Sequence, residues 1–149
     1  MIVIICGPPA VGKTTVGRLL RERLDAEGLA VDLVDSDEFA TNTYDRLYDR
    51  VVDAENHVVV AGTFYKRQWQ ERFRQLDDLV IVYLRANTET CLERNRERSQ
   101  PIAERAIHII CAEFDDPDAE ITVDVTERSP QDVVNLIRSE LPEHTAVVQ

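Results

Sequence analysis

The fold of this 149-residue chain is decided by the stretch Gly7-Pro8-Pro9-Ala10-Val11-Gly12-Lys13-Thr14-Thr15. Five apolar residues precede it from Ile2, and apolar positions at helical spacing follow it from Val16. The spacing G-x-x-x-x-G-K-T, placed between a strand and a helix, is typical of a loop that wraps around phosphate groups. It predicts that the chain binds a nucleoside triphosphate.

The residue types in this loop explain how it would hold the triphosphate. Gly7 and Gly12 permit backbone angles and close approaches that a Cβ atom would forbid. The N–H groups of the loop and the start of the following helix then converge on the phosphates. Lys13 adds a positive charge toward the β- and γ-phosphates, and the Thr14 hydroxyl can ligate Mg²⁺. We therefore expect all nine residues of the loop to bind ATP, with Mg²⁺ as the metal cofactor.

The remaining chain alternates between strand and helix patterns. Strands are predicted at 2–6, 30–35, 57–61, 79–84 and 120–125, and helices at 13–27, 66–76, 88–98, around 102–114 and from Ser129 to about 141. The polar segment 36–53 is compatible with a helix. This alternation predicts an α/β fold with a five-stranded parallel sheet and helices on both faces, in three layers. We expect one domain over residues 1–149, without linkers, followed by a short frayed tail.

The composition limits the partners of the chain. There are 28 acidic residues against 17 basic ones, and the net charge of −11 disfavours non-specific binding of nucleic acid. Such a surface also suggests adaptation to high salt, and that hypothesis weakens the first inference because a salt-adapted nucleic-acid enzyme would be acidic too. The absence of a long apolar run and the three isolated cysteines predict a cytoplasmic protein without membrane spans or disulfides.

Two acidic residues, Asp35 and Asp37, follow the second predicted strand. Carboxylates at this end of a parallel strand lie at the rim where α/β sheets bind ligands. One of them could hold Mg²⁺ and the other accept the proton of an attacking hydroxyl group. The alternative is that they only cap the next helix. Because these residues would lie beside a phosphate loop, we favour the catalytic interpretation. It leaves open which of the two carboxylates acts as the general base.

Arginines recur late in the chain, at the position of a closing lid that we place at about 94–118. Arg94 and Arg98 share one helix face, and arginines stay charged and bind phosphate oxygens in pairs. We expect these two to reach the transferring phosphoryl group, the alternative being a solvated helix face. The segment after the third strand, with Phe64, Lys66, Arg67 and Arg72, is the candidate acceptor site, because aromatic faces and cations suit a base-bearing or anionic acceptor.

These motifs resemble those of the P-loop kinases that include adenylylsulfate kinases, polynucleotide 5′-hydroxyl kinases and seryl-tRNA kinases. Asp35-Ser36-Asp37 is similar to the aspartate motif of the first, and residues 91–98 to the lid of the second. The resemblance to adenylylsulfate kinases makes Asp35 the metal or base residue, whereas that to polynucleotide kinases favours Asp37. It also implies a nucleotide-kinase-like fold and places residues 126–130 near the adenine.

The chain departs from these families at Ala40, where an arginine would grip the acceptor. We expect a kinase that transfers the γ-phosphoryl group of ATP to a hydroxyl of a nucleotide-like acceptor, with adenylylsulfate favoured. A nucleic-acid 5′-hydroxyl or a seryl-tRNA is the alternative acceptor, and a P-loop regulatory NTPase that lacks an acceptor is the alternative class. The sequence leaves the oligomeric state open.

Overall fold

Runs of β-branched and other apolar residues form five short strands that pair in a single sheet. The computed structural model describes residues 1–142. The strands are β1 (Ile2–Cys6), β2 (Val31–Asp35), β3 (His57–Ala61), β4 (Leu79–Arg85) and β5 (Ile121–Asp124). They lie in the order β2-β3-β1-β4-β5, and every neighbouring pair is parallel. The predicted five-stranded parallel sheet is confirmed.

Six helices connect and cover the strands. They are α1 (Lys13–Ala26), α2 (Thr43–Val52), α3 (Arg67–Arg74), α4 (Thr88–Arg96), α5 (Glu104–Glu113) and α6 (Pro130–Glu140). The segment 36–53 is not one helix, because a short 3₁₀ turn at Ser36–Glu38 precedes α2. Helix α4 ends at Arg96, so that Arg98 lies in the following loop. The predicted tail falls largely outside the described residues.

Alternate residues of β1 pack against opposite layers. Val3 and Ile5 belong to one buried cluster, which also contains Leu20 of α1 and Ile137 of α6. Ile4 and Cys6 belong to a second cluster, which contains Leu47 of α2 and Phe73 of α3. Because a central strand of a parallel sheet is covered on both faces, its side chains are apolar without alternation. The chain thus forms the predicted three layers.

The parallel arrangement brings the carboxyl ends of the strands to one edge of the sheet. β1 leads directly into the loop that begins at Gly7, β2 ends at Asp35, and β3 ends one residue before Gly62. Chain segments from three strands therefore meet at this edge, as expected for ligand sites in open α/β sheets. None of the helices within residues 1–142 is long and apolar enough to cross a membrane.

Replacing Gly7 by Ala should destabilise the fold. A Cβ atom at Gly7 would lie 2.3 Å from the backbone oxygen of Leu84, and the φ angle of Gly7 is +154°. Because the opposing atom is backbone, the sheet edge would have to shift, at a cost of about 3 kcal/mol. Urea denaturation should show a lower midpoint with an unchanged slope.

The matched control for this variant is Gly28→Ala. Gly28 also has a positive φ, +94°, but no atom lies within 4 Å of its Cβ position. The free energy of unfolding of this variant should therefore fall by only about 1 kcal/mol, the cost of holding an alanine at a positive φ. Equal losses in the two variants would contradict the steric role of Gly7.

Candidate active site

The phosphate loop forms one wall of a cavity of about 430 Å³. Gly12, with φ +96°, turns the chain into the first turn of α1. The Nζ atom of Lys13 donates to the carbonyl oxygen of Pro8 at 2.8 Å and so folds back over the loop. Six of the nine predicted residues line the cavity: Pro9, Ala10, Gly12, Lys13, Thr14 and Thr15. Gly7, Pro8 and Val11 are buried and do not line the cavity.

The environment of Lys13 lowers the pKa of its amino group to about 8. Desolvation is the main cause, and the nearby carboxylates of Asp37 and Asp35 oppose it only in part. Burial raises the pKa of the Cys6 thiol to about 12, so that Cys6 stays neutral beside the lysine. Because these carboxylates offset the desolvation only in part, an anionic ligand is favoured, since a bound phosphate would further stabilise the charged form of Lys13.

Two oxygen atoms at the cavity wall fit a magnesium ion. The Thr14 hydroxyl donates to Asp35 Oδ2 at 2.5 Å, so the two side chains predicted to be metal ligands are neighbours. Within residues 1–142, no cluster of three or more His, Cys, Asp or Glu side chains could hold a metal by itself. Mg²⁺ in kinases typically uses one or two protein oxygens together with phosphates and water, which matches this donor set.

Asp37 faces a different part of the site from Asp35. The 3₁₀ turn begins with a capping box, in which Asp35 Oδ1 accepts from the backbone N–H of Asp37 at 2.9 Å, and Glu38 accepts from that of Asp35. The Asp35 carboxylate therefore accepts hydrogen bonds from both the Thr14 hydroxyl and the backbone of the turn. The Asp37 side chain is exposed and lines both the phosphate cavity and a second, adjacent cavity.

The two predicted lid arginines have different surroundings. The guanidinium of Arg94 donates to the carbonyl oxygen of Val11 at 3.3 Å and to that of Val125 at 3.0 Å. It thus connects the phosphate loop to the segment after β5. Arg98 is exposed and also lines the phosphate cavity, and it makes no ion pair within residues 1–142. Of the two, Arg98 has the freer side chain.

A buried amide fixes both ends of the loop that carries Arg98. Asn95 donates from Nδ2 to the carbonyl of Ile102 at 2.8 Å and accepts at Oδ1 from its N–H at 3.0 Å. The side chain is only 1% exposed. Because the two hydrogen bonds close the loop between Asn95 and Ile102, the segment predicted to be a lid begins with a short, anchored turn that leads into α5.

Replacing Asn95 by Ala should destabilise the protein by about 2 kcal/mol, because the N–H and C=O of Ile102 would lose their buried partners. The measurement is chemical denaturation of the free protein. Asn135→Ala is the matched control: Asn135 is exposed on α6, and its loss should change the stability by less than about 0.5 kcal/mol. Similar stabilities for the two variants would show that Asn95 does not anchor the lid.

The second cavity, of about 400 Å³, lies next to the phosphate cavity on the side of α2 and α3. We call it the acceptor cavity. Its lining consists of Ser36, Asp37, Phe39, Ala40, Thr43, Tyr44, Thr63, Tyr65, Trp69 and Ile110. Four of these also line the phosphate cavity: Ser36, Asp37, Thr63 and Ile110. The two cavities thus lie side by side and share part of their walls.

The structure corrects the predicted acceptor residues. Phe64 is 1% exposed and packs in the core against Phe73, so it does not reach a ligand. Arg72 forms an ion pair with Asp45 and lies over the ring of Tyr48, outside both cavities. Neither Arg67 nor Lys66 lines either cavity.

Lys66 is nevertheless close to the acceptor cavity. Its Nζ atom lies 5.7 Å from the ring centre of Tyr65 and 5.3 Å from that of Trp69, and both rings line the cavity. Arg67 begins α3, and its backbone N–H donates to Asp115 at 2.8 Å, so that the segment after α5 is fixed to the start of α3.

Of the aromatic residues that line the acceptor cavity, sequence analysis included Tyr65 in the candidate acceptor segment but missed Phe39, Tyr44 and Trp69. Tyr44 stacks on Trp69 with ring centres 4.3 Å apart, and its hydroxyl accepts from the backbone N–H of Phe64 at 2.9 Å. Burial raises the pKa of Tyr44 to about 12, which keeps this hydroxyl protonated. Tyr65 lies edge-on to Trp69 at 5.3 Å. The available signal was the position of both residues next to the candidate acceptor segment, Tyr65 just before α3 and Trp69 in its first turn.

Comparison with known proteins identifies the family. A family model described as an AAA domain matches residues 2–117. The protein named "Putative adenylate kinase" from Pyrococcus abyssi is 30% identical, over 99% of this chain and 90% of the relative. The L-seryl-tRNA(Sec) kinase of Methanococcus maripaludis is 27% identical, over 86% of this chain and 60% of the relative.

The fold also resembles that of a kinase of known structure. A gluconokinase from Sinorhizobium meliloti 1021 superimposes with a TM-score of 0.77 at 17% identity, covering 93% of this chain and 89% of the gluconokinase. This similarity concerns the fold alone. The chain therefore belongs to the AAA-domain family and is a P-loop kinase.

Proposed function

We propose that this kinase transfers the γ-phosphoryl group of ATP to a hydroxyl group of an acceptor bound in the acceptor cavity. The observation that carries the proposal is the position of Asp37, which lines both cavities at their junction. A hydroxyl held in the acceptor cavity would meet the γ-phosphate beside this carboxylate. Asp37 rather than Asp35 is then the base, because Asp35 is bonded to Thr14.

Each residue of the site has a role in this mechanism. Lys13 and the loop amides hold and orient the triphosphate. Thr14 and Asp35 would hold Mg²⁺, which supplies charge neutralisation to the phosphates when bound. Asp37 accepts the proton of the attacking hydroxyl. Arg98 can reach the transferring group, while Arg94 stabilises the loop next to the proposed adenine position at 126–130.

A second candidate follows from the name of the Pyrococcus relative, which denotes phosphorylation of a nucleoside monophosphate. In that reaction the acceptor is a phosphate, which needs cations around it and no base. The acceptor cavity offers the Asp37 carboxylate at this point, and its lining contains no arginine or lysine. Like charges repel, so the structure favours the hydroxyl acceptor.

The test is transfer of labelled γ-phosphate from ATP to a panel of acceptors, in low and in molar KCl. The panel contains adenylylsulfate, 5′-hydroxyl RNA and DNA, seryl-tRNA and AMP. Label on a hydroxyl-bearing acceptor supports the proposal and names the acceptor. Label on AMP alone would favour the monophosphate kinase. Free phosphate without any labelled acceptor would favour a regulatory NTPase.

A further inference from the structure

The acceptor cavity has walls suited to a flat, uncharged ring. Four aromatic side chains line it, Phe39, Tyr44, Tyr65 and Trp69, together with Ile110. Hydroxyl groups of Ser36, Thr43 and Thr63 supply polar contacts among them. Aromatic faces with a few hydrogen-bonding groups bind nucleobases, since every base offers a flat face for stacking.

The lining of the cavity disfavours a strongly anionic group inside it. Asp37 is the only charged residue in the lining described. The predicted acceptor residue Arg72 lies outside the cavity and is held by Asp45 and by the Tyr48 ring. A carboxylate or phosphate ligand placed among these walls would lose its hydration without gaining a cation, which is costly. A neutral ring has no such cost.

Lys66 places a cation at the margin of this aromatic group. Its amino group lies over the rings of Tyr65 and Trp69, where a cation is attracted to the aromatic faces. A stacked base would displace the amino group from these faces. Since Lys66 is exposed, it could then contact a phosphate outside the cavity, such as the one that follows the first nucleoside of an oligonucleotide.

We propose that the acceptor cavity binds a nucleoside with a free hydroxyl group, its base stacked on the ring of Tyr65 beside Trp69. The inference rests on the proposed function, in which the hydroxyl of this nucleoside meets Asp37 at the junction of the cavities. The reaction would form a bond between the hydroxyl oxygen and the γ-phosphorus, break the bond to the ADP oxygen, and leave the proton on Asp37. The nucleoside is either free or the 5′ end of an oligonucleotide.

Direct binding can be measured without any catalysis, because Trp69 is the only tryptophan of the chain. The phosphate site is first saturated with a non-hydrolysable ATP analogue. An added nucleoside then has only the acceptor cavity left as a binding site. Adenosine and uridine should quench or shift the Trp69 fluorescence in a saturable way, whereas ribose and gluconate should not. Saturable binding of gluconate with no response to nucleosides would overturn the inference.

Two variants distinguish the loss of base stacking from a general loss of structure. Tyr65→Leu should weaken nucleoside binding about tenfold, the effect of losing one stacked ring. Tyr83→Leu is the control, because Tyr83 stacks on Phe114 outside both cavities, and nucleoside affinity should be unchanged. Equal affinities of the two variants for nucleosides would overturn the role of the aromatic wall.

The affinity for a 5′-hydroxyl dinucleotide shows whether the natural ligand is a free nucleoside or the end of an oligonucleotide. If the natural ligand is a chain end, the dinucleotide should bind more tightly than the nucleoside, with a salt-sensitive gain that Lys66→Met removes. If it is a free nucleoside, the affinities should be equal. Either outcome supports a nucleoside site. Nucleoside binding without label transfer would contradict the kinase proposal alone, and transfer to another acceptor without nucleoside binding would contradict this inference alone.

Discussion

Asp37→Asn is expected to lower the rate of phosphoryl transfer by about 10²- to 10⁴-fold, the contribution typical of a general base. The amide has the shape of the carboxylate but cannot accept the proton of the acceptor hydroxyl. ATP affinity should be retained, because the side chain of Asp37 is exposed and lies at the acceptor end of the phosphate cavity. The measurements are single-turnover label transfer and titration with a non-hydrolysable ATP analogue.

Two further variants make this result specific. Asp35→Asn should also lower transfer, but its loss should be reduced by raising the Mg²⁺ concentration, since Asp35 is bonded to Thr14 at the proposed metal site. Asp53→Asn, an exposed position at the end of α2, should leave transfer unchanged. Undiminished transfer by Asp37→Asn would refute Asp37 as the base. Undiminished phosphate release in the Asp35, Asp37 double variant would support the regulatory NTPase.

The affinity of the protein for ATP is expected to fall about tenfold per pH unit above pH 8. The reason is the pKa of about 8 of Lys13 in the free protein, which desolvation lowers. Only the charged form binds phosphate well, and bound phosphate raises this pKa, so binding takes up a proton between the free and bound pKa values. Below pH 8 the lysine is already charged, and the affinity should not change through this group.

Lys13→Met tests this origin. The variant should bind ATP weakly, lose most of its transfer activity, and show no fall in affinity above pH 8. Calorimetry in buffers of different ionisation enthalpy should detect proton uptake by the unmodified chain at pH 8.5 and none by the variant. Arg18→Met removes an exposed charge from α1 and should keep the pH dependence. A pH dependence that survives in Lys13→Met would assign the proton to another group.

The phosphate site could be predicted because its residues are contiguous. Nine successive residues fix the turn, the helix start and the lysine, so local sequence is sufficient. Asp35 and Asp37 could be placed because strand ends of a parallel sheet share one edge. The relatives carry the names of kinases with different acceptors, and adenylylsulfate is one acceptor of the test panel.

The sequence by itself determined the order of strands and helices, the phosphate loop and the acids after β2. The tertiary structure decided which residues form the acceptor cavity. Phe64 and Tyr65 are neighbours of similar character, but the positive φ of Phe64, +50°, turns its ring into the core, while Tyr65 lines the cavity. The other walls come from α2, α3 and α5, segments brought together by strand pairing and helix packing rather than by sequence proximity. Contacts between distant segments depend on those long-range interactions, which no local pattern specifies.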